Sequence, residues 1–459
     1  MMRMRAPRWI AVWVIPVVLA GFASGARGQV IERELRERVV PRITIAIAGF
    51  APLSMNGEDL GKLGESVLAA DLRFTTIFDV MDPATLPFDP RTVQMDQERP
   101  LFPGLNSLKV QHLVVGQVGS RGHEAVVEGR LFDVTTGNMV FGKRYVGDPK
   151  FYRLIIHRFA DDILFNLTGE KGVAQTRIAF VSAVTRTAKE IFVMDYDGAS
   201  PVAITGNQSI NLSPRWSPDG RLIAYTSYRN GNPDLFVLNF DSGRRDVLSA
   251  QRGLNVTPGW SPDGQWLAFA MSASGGTNLF ITKLEKVVCT EAKSKDSRVE
   301  VQVAQCMKAT STKPLTTGSS ISVSPSFSPN GRQIVFNSDR GGSPQIYVVD
   351  VEGTNLRRLT FQGNYNASPR WSPRGEKILF MCRLAGNQIC LMNPDGTGLQ
   401  QLTTAGSNED PSWSPDGRHI VFASTRTGHR DLFVMHADGT EQTRLTNNGR
   451  DNYLPDWSP

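Results

Sequence analysis

Cysteine is scarce in this sequence: four residues in 459, none before position 289. That leaves no candidate for a lipid-modified cysteine near the start, and none of the four has the spacing of a zinc site or a Cys-x-x-Cys redox motif. Histidine is almost as rare. His112, His123, His157, His419, His429 and His436 are scattered along the chain, with only the last three close together, so they read as satisfied or solvent-facing residues. The sequence contains no His-Glu-x-x-His, no Gly-x-Ser-x-Gly elbow and no phosphate-binding loop. The Asp195-Tyr196-Asp197-Gly198 turn carries carboxylates, but one such turn does not make a calcium loop. No catalytic, cofactor or metal residues are expected.

Long apolar runs are missing too, with one exception. Trp9 to Phe22 is almost wholly apolar, follows Arg3, Arg5 and Arg8, and precedes small residues up to Gly28. It is short for a membrane span and is interrupted by Pro16, so residues 1–28 read as a secretory signal peptide, with the mature chain starting near Gln29. An uncleaved anchor is the alternative. The formal charge of +6 owes much to this segment, because four arginines and no acids lie within it; the remainder carries +2. A basic cluster of the kind that binds nucleic acid is therefore not expected. Export would permit disulfides. Three pairings are possible, and Cys289–Cys306, flanking an insertion, and Cys382–Cys390, on successive strands of one hairpin, are preferred.

Glycine (42) and proline (27) are plentiful and regularly placed. They punctuate a repeated phrase: Trp216-Ser217-Pro218-Asp219-Gly220 recurs at Trp260, as Phe327-Ser328-Pro329-Asn330-Gly331, at Trp371 and Trp413, and ends as Trp457-Ser458-Pro459. The intervals are 44, 67, 44, 42 and 44 residues, close to the roughly 40–45 residues of a four-stranded propeller blade. Two strand patterns, one starting at Arg177 and one at Ile191, each recur six times. The first set has no phrase before it and the last phrase has no strand after it. Both are accounted for by a six-bladed β-propeller closed by the C-terminal strand. The long interval implies an insertion near residues 287–313.

Residues 29–172 read differently, as an α/β domain. Strands are expected at Arg42 to Phe50, Phe78 to Met81, Leu113 to Val118, Ala125 to Val134 and Asn138 to Val146, and a long loop over the proline-rich stretch from Pro83 to Pro103. A first helix is expected from Glu58 to Phe74, with Leu60, Leu63, Val67, Leu68, Ala70 and Leu72 inward. A second spans Phe151 to Leu167, with Leu154, Ile155, Phe159, Ile163 and Leu167 on its stripe. The propeller then occupies 173–459.

Within each repeat, Ser-Pro-Asp-Gly reads as a tight turn and the Trp as packing between blades. Five residues before each Trp or Phe stands Asn211, Asn255, Ser322, Asn366, Asn408 or Asn452. These are expected either to ring one channel mouth or to make local turns onto their own strands; the two roles are compatible. Arg229, Arg340, Arg383 and Arg426 are expected on the same face.

The signal, the α/β segment with Gly64-Glu65-Ser66 and Val114-Val115-Gly116-Gln117-Val118, the Leu167-Thr168-Gly169 junction and the terminal Trp457-Ser458-Pro459 together resemble the TolB family. These are periplasmic proteins of the Tol-Pal envelope system of Gram-negative bacteria. The resemblance covers nearly the whole mature chain. It implies a non-enzymatic monomeric adaptor in the periplasm, without cofactor, serving outer-membrane integrity and constriction at division. It further implies that the lipoprotein Pal binds the propeller, here at Asn211, Asn255, Asn366, Asn408, Glu409, Asn452, Arg229, Arg340 and Arg426, and that TolA binds the mature N-terminus, here Gln29, Val30, Ile31, Glu32, Arg33, Glu34 and Leu35. Substitution of Asn255 or Glu409 is then expected to weaken Pal binding with stability unchanged. The charged N-terminal stretch and the Cys-flanked insertion depart from the family pattern. A propeller enzyme, either peptidase-related or a sugar lyase, and a carbohydrate-binding propeller are the alternatives; the peptidase version would require a hydrolase domain beyond Pro459.

Overall fold

The computed structural model describes residues 42–53, 57–273, 275–295, 298–384 and 386–459. Residues 1–28, expected to be a signal peptide, and Gln29 to Leu35 lie outside the described residues.

Alternation in the first strand sets up two apolar layers. In β1 (Ile43–Pro52), Ile45 and Ile47 face one way and Ala46 and Ala48 the other. This strand pairs in parallel with β2 (Phe78–Val80) and β3 (His112–Arg121), while β3, β4 (Glu124–Asp133) and β5 (Met139–Gly147) form an antiparallel meander, giving the order β2-β1-β3-β4-β5. The isoleucine face is covered by α1 (Gly57–Phe74) and by a long C-terminal helix, Tyr152–Thr168. The approach is close: a Cβ on Gly129 of β4 would lie 2.2 Å from the Phe159 ring, so this contact requires glycine.

Both helical stripes differ from expectation. Val67, Leu68 and Leu72 on α1 and Phe159 and Ile163 on the second long helix are buried as expected, but Leu63, Ala70 and Leu154 are exposed, and Asp71 on α1 and Tyr152, Ile156, His157, Ala160 and Leu164 on the second helix are buried besides. Each helix packs on the sheet along one flank and on the propeller along another, which widens the buried arc and admits polar residues to it. The proline-rich stretch is not an open loop. It forms three short 3-10 turns, Pro83–Thr85, Pro90–Thr92 and Arg99–Leu101, followed by α2 (Phe102–Ser107). Proline suits the first positions of a helical turn, and Asp82 accepts a hydrogen bond from the Ala84 amide at 2.9 Å. Val93, Phe102 and Leu105 thereby cover the alanine face of the sheet. In chain order the long helix Tyr152–Thr168 is α3.

From Arg177 onward the chain forms six four-stranded antiparallel sheets. The inner strands are Asn211–Trp216, Asn255–Trp260, Ser322–Phe327, Asn366–Trp371, Asn408–Trp413 and Asn452–Trp457. The last pairs with Arg177–Ala183, matching Asn452 to Ser182 and Trp457 to Ile178, so the C-terminal strand completes the first blade. Counted from that blade, the others follow in chain order as blades two to six. Ser-Pro-Asp-Gly is the turn after each inner strand. In blade two the Ser217 hydroxyl donates to Asp219 and accepts from the Leu222 amide at 2.9 Å, and Gly220 has φ +69°. Trp216 packs with Ala179, Val193 and Ile223, bridging two blades.

One sixfold feature was not foreseen. The third residue of every inner strand, Ser213, Thr257, Ser324, Ser368, Asp410 and Leu454, has φ between 51° and 57°, and each inner strand shifts register there. A left-handed conformation at a non-glycine residue costs about 1 kcal/mol or more. It is held here by the bulge and the following proline.

The insertion is a two-stranded ribbon: Gly276–Lys295 and Arg298–Pro314 extend the third and outer strands of blade three. Cys289 is joined to Cys306 across it, and Cys382 to Cys390 within blade five.

Candidate partner-binding site

Strand direction sorts the propeller into two faces. Asn211 lies opposite Ser227, which lies opposite Asp234, at one end of a blade; Trp216 lies opposite Ile223, next to Leu222 and Asn239, at the other. The N-terminal domain sits on the Trp-Ser-Pro side. Asp71 of α1 accepts from the Tyr196 hydroxyl at 2.6 Å and lies 2.8 Å from His157 Nδ1, Arg153 pairs with Asp197, and Arg418 reaches Glu170 at 2.6 Å. Burial raises the Asp71 carboxyl. For His157, burial opposes protonation, but the bond to Asp71 and its charge outweigh it and the net shift is upward. Both groups therefore hold protons to higher pH than they would in water. His157, read from the sequence as an ordinary histidine, is thus part of the joint between domains.

Among the described residues, none of the N-terminal domain reaches the opposite face, at the asparagine end. It gathers the residues singled out in the sequence, but not in the role expected. Asn211, Asn255, Asn366, Asn408 and Asn452 are 0–2% exposed. Their amides are spent on the protein itself: Asn211 Nδ2 donates to Glu190 at 2.9 Å, Asn366 Nδ2 to Gln345 at 2.8 Å, Asn408 Nδ2 to Gln388 at 2.8 Å, Asn255 Nδ2 to the Gln251 carbonyl at 2.7 Å, and Asn452 Nδ2 to Asn448 at 2.9 Å. The asparagines therefore do not present themselves to a partner; each ties its inner strand to the loop before it and, in three of the five, to the third strand of the preceding blade. Of the two compatible roles expected, these hydrogen bonds show the local one.

Two of the arginines are similarly engaged. Arg426 donates to Ser424 at 2.8 Å, Gln442 at 2.6 Å and Asn408 at 3.0 Å, and Arg340 to Ser338 and Ser322, each at 3.1 Å. Burial lowers both guanidinium pKa values. Arg229 and Arg383 stay exposed, the latter 4.4 Å above the Tyr365 ring. Glu409 accepts from Asn387 at 2.6 Å and meets Arg430 at 3.5 Å, leaving its carboxylate partly accessible.

Apolar side chains are also exposed on this face. Phe361 is 75% exposed, Ile321 51%, Leu384 50% and Leu254 37%. The Arg383 amide donates to the Tyr365 carbonyl at 2.9 Å, and a Cβ on Gly363 would lie 3.2 Å from the Arg383 carbonyl and 3.9 Å from Leu384 Cδ2, so Tyr365, Arg383 and Leu384 belong to one neighbourhood, with Phe361 two residues before Gly363. An aromatic residue on an otherwise polar rim, beside an arginine, is the composition enriched in protein–protein contacts. The sequence signal was present but overlooked: Leu254, Ile321 and Tyr365 each directly precede a ring residue, and Phe361 follows the Leu359-Thr360 pair where a polar turn is the norm.

Among the described residues the chain is thus a six-bladed propeller with an α/β domain on one face and exposed apolar side chains on the other. The family follows from two matches: residues 165–298 and 285–459 match the TolB beta propeller domain, and residues 34–140 the TolB amino-terminal domain. The chain belongs to the TolB family. Neither match describes an enzyme. The Tol-Pal system protein TolB of Desulfosudis oleivorans is 36% identical over 195 residues, 42% of this chain and 44% of that protein, and that of Syntrophus aciditrophicus is 37% identical over 198 residues, again 42% and 44%. These alignments span less than half the length of the curated relatives. The crystal structure of TolB from Acinetobacter baumannii superposes with a TM-score of 0.71 at 25% identity, covering 91% of this chain and 97% of that one. No helix among the described residues is long and apolar enough to cross a membrane.

Proposed function

We propose that this protein is a periplasmic adaptor of the Tol-Pal system that binds Pal at the asparagine-side mouth of the propeller and TolA through Gln29 to Leu35, without catalysis, and so supports outer-membrane integrity and constriction at division. The observation that carries the reading is the exposed group of Phe361, Leu384 and Ile321 on the face opposite the N-terminal domain. Exposed apolar side chains on one rim of a rigid ring favour a macromolecular partner over a small substrate. Asn211, Asn255, Asn366, Asn408 and Asn452 then serve as the frame of this surface, while Glu409, Arg229 and Arg383 supply charge at its edge and Arg340 and Arg426 stiffen it. The absence of catalytic motifs from the sequence and the TolB matches weigh against the enzyme alternatives. Co-purification of the full chain with tagged Pal from envelope extracts tests the proposal; hydrolysis or cleavage of oligosaccharides by the purified protein, with no Pal retained, would overturn it.

A further inference from the structure

The residue between Pro and Trp in each inner strand points into the channel near the Trp-Ser-Pro mouth. Around the ring these are Asp456, Arg215, Gly259, Ser326, Arg370 and Ser412, so Arg215 and Arg370 belong to blades facing each other across the channel. They line a cavity of about 470 Å³ to which no described residue of the N-terminal domain contributes.

The two arginines are not equivalent. Arg215 meets Asp456 Oδ1 at 3.3 Å, while Asp456 Oδ2 accepts from the Trp216 amide at 2.8 Å. Arg370 is only 9% exposed, and among the described residues its guanidinium reaches no carboxylate: Nη1 donates to the Pro369 carbonyl at 3.0 Å and Nε has no partner. A buried guanidinium without a counter-charge is costly. Asp410, one layer deeper, is committed to Ser368 at 3.2 Å, and burial, with the charge of Glu409 adding to it, favours its neutral form. The residues flanking Arg370 in the ring are both serines. Ser326 Oγ accepts from the Trp371 amide at 3.1 Å and Ser412 Oγ from the Trp457 amide at 3.3 Å, which leaves each hydroxyl proton free to donate into the cavity. Outside this layer the repeated prolines form an apolar collar.

We propose that this mouth binds a small organic oxyanion, its carboxylate or phosphate held by Arg370 with the Ser326 and Ser412 hydroxyls and its apolar body against the proline collar. A guanidinium between two hydroxyl donors matches an oxyanion in charge and in directional hydrogen bonds. The site lies on the face opposite the proposed Pal surface and does not depend on that reading.

The test uses the full chain with benzoate and phenyl phosphate as probes at constant ionic strength, with chloride as control, followed by calorimetry and by the fluorescence of the tryptophans around the cavity. Saturable binding of either probe is expected, weakened at least tenfold in Arg370→Met and about threefold in Ser326→Ala, with Arg370→Lys intermediate. The probe that binds identifies the head group. Should Arg370→Met fail to fold, Ser326→Ala and Arg370→Lys carry the comparison. No saturable response beyond the chloride control, or equal affinity in the parent protein and the folded variants, would overturn the proposal.

Discussion

Phe74, the last residue of α1, stacks on the imidazole of His419 in blade six, with ring centroids 3.8 Å apart and 13° between planes. The histidine is 1% exposed, with both ring nitrogens buried. Burial depresses its pKa to about 4, with the charges of His436 and Arg418 acting in the same direction and Asp416 opposing. The domain joint thus contains an imidazole that must stay neutral.

The sign of the pH effect follows. A histidine whose folded pKa lies below its unfolded value of 6.5 takes up a proton more readily when unfolded, so stability is lost as pH falls from about 6.5 to about 4. Over the whole window this amounts to at most about 3 kcal/mol. His419→Phe keeps the stack and removes the titration. Thermal denaturation at intervals of pH should show a smaller acid-side loss for this variant than for the parent protein.

Asp456 has the opposite slope. Burial lifts its carboxyl from 3.8 to about 6, against the opposing charge of Arg215 and the Trp216 amide. The folded state therefore binds the proton more tightly, and its contribution to stability declines as pH rises from about 4 to about 6, again by roughly 3 kcal/mol at most. Asp456→Asn should abolish that decline. The two slopes oppose each other in the parent protein, so each single variant should show a pH profile steeper in one direction than the parent's, measured by the same melting experiment.

The buried asparagines predict a loss of stability, contrary to the sequence reading. Asn255 donates to three backbone carbonyls, of Pro233, Gln251 and Gly253, and accepts from the Ser249 hydroxyl at 2.6 Å. Asn255→Ala leaves several of these groups without partners and should cost about 1–3 kcal/mol, read as a lower midpoint in urea unfolding.

The disulfides should differ in their effects. Cys382 and Cys390 are 2% and 0% exposed in the centre of blade five, and replacing both with alanine should cost about 2–3 kcal/mol of global stability. Cys289 and Cys306 lie on the ribbon, beyond the blade's own strands. A ribbon can open without the ring, so their replacement should leave the global transition nearly unmoved while raising proteolytic cleavage near residues 289–306.

The sequence made the propeller readable because each blade repeats the same turn chemistry, and Trp457 with no following strand pointed to closure. Side-chain position within that frame was less legible. Asn211 and its counterparts stand next to a channel mouth in sequence terms, but burial depends on Glu190, Gln345 and Gln388 of the preceding blades, which no local pattern reveals. His157 and Asp71 look ordinary until two domains meet around Tyr196. The bulges at Ser213 and its equivalents were hidden because a left-handed residue before proline has no compositional mark when it is not glycine. Phe361 was visible as an aromatic out of place, and only exposure shows that it faces solvent.

The central claim is that the asparagine-side face binds Pal through its exposed apolar group. The most direct measurement is calorimetric titration of purified Pal into the parent protein and into a Phe361→Ala, Leu384→Ala double variant. Both side chains are half exposed or more, so the melting temperature should be unchanged while affinity falls at least tenfold, about 1.4 kcal/mol or more. Equal affinity in the two proteins, or no binding by the parent, would contradict the account.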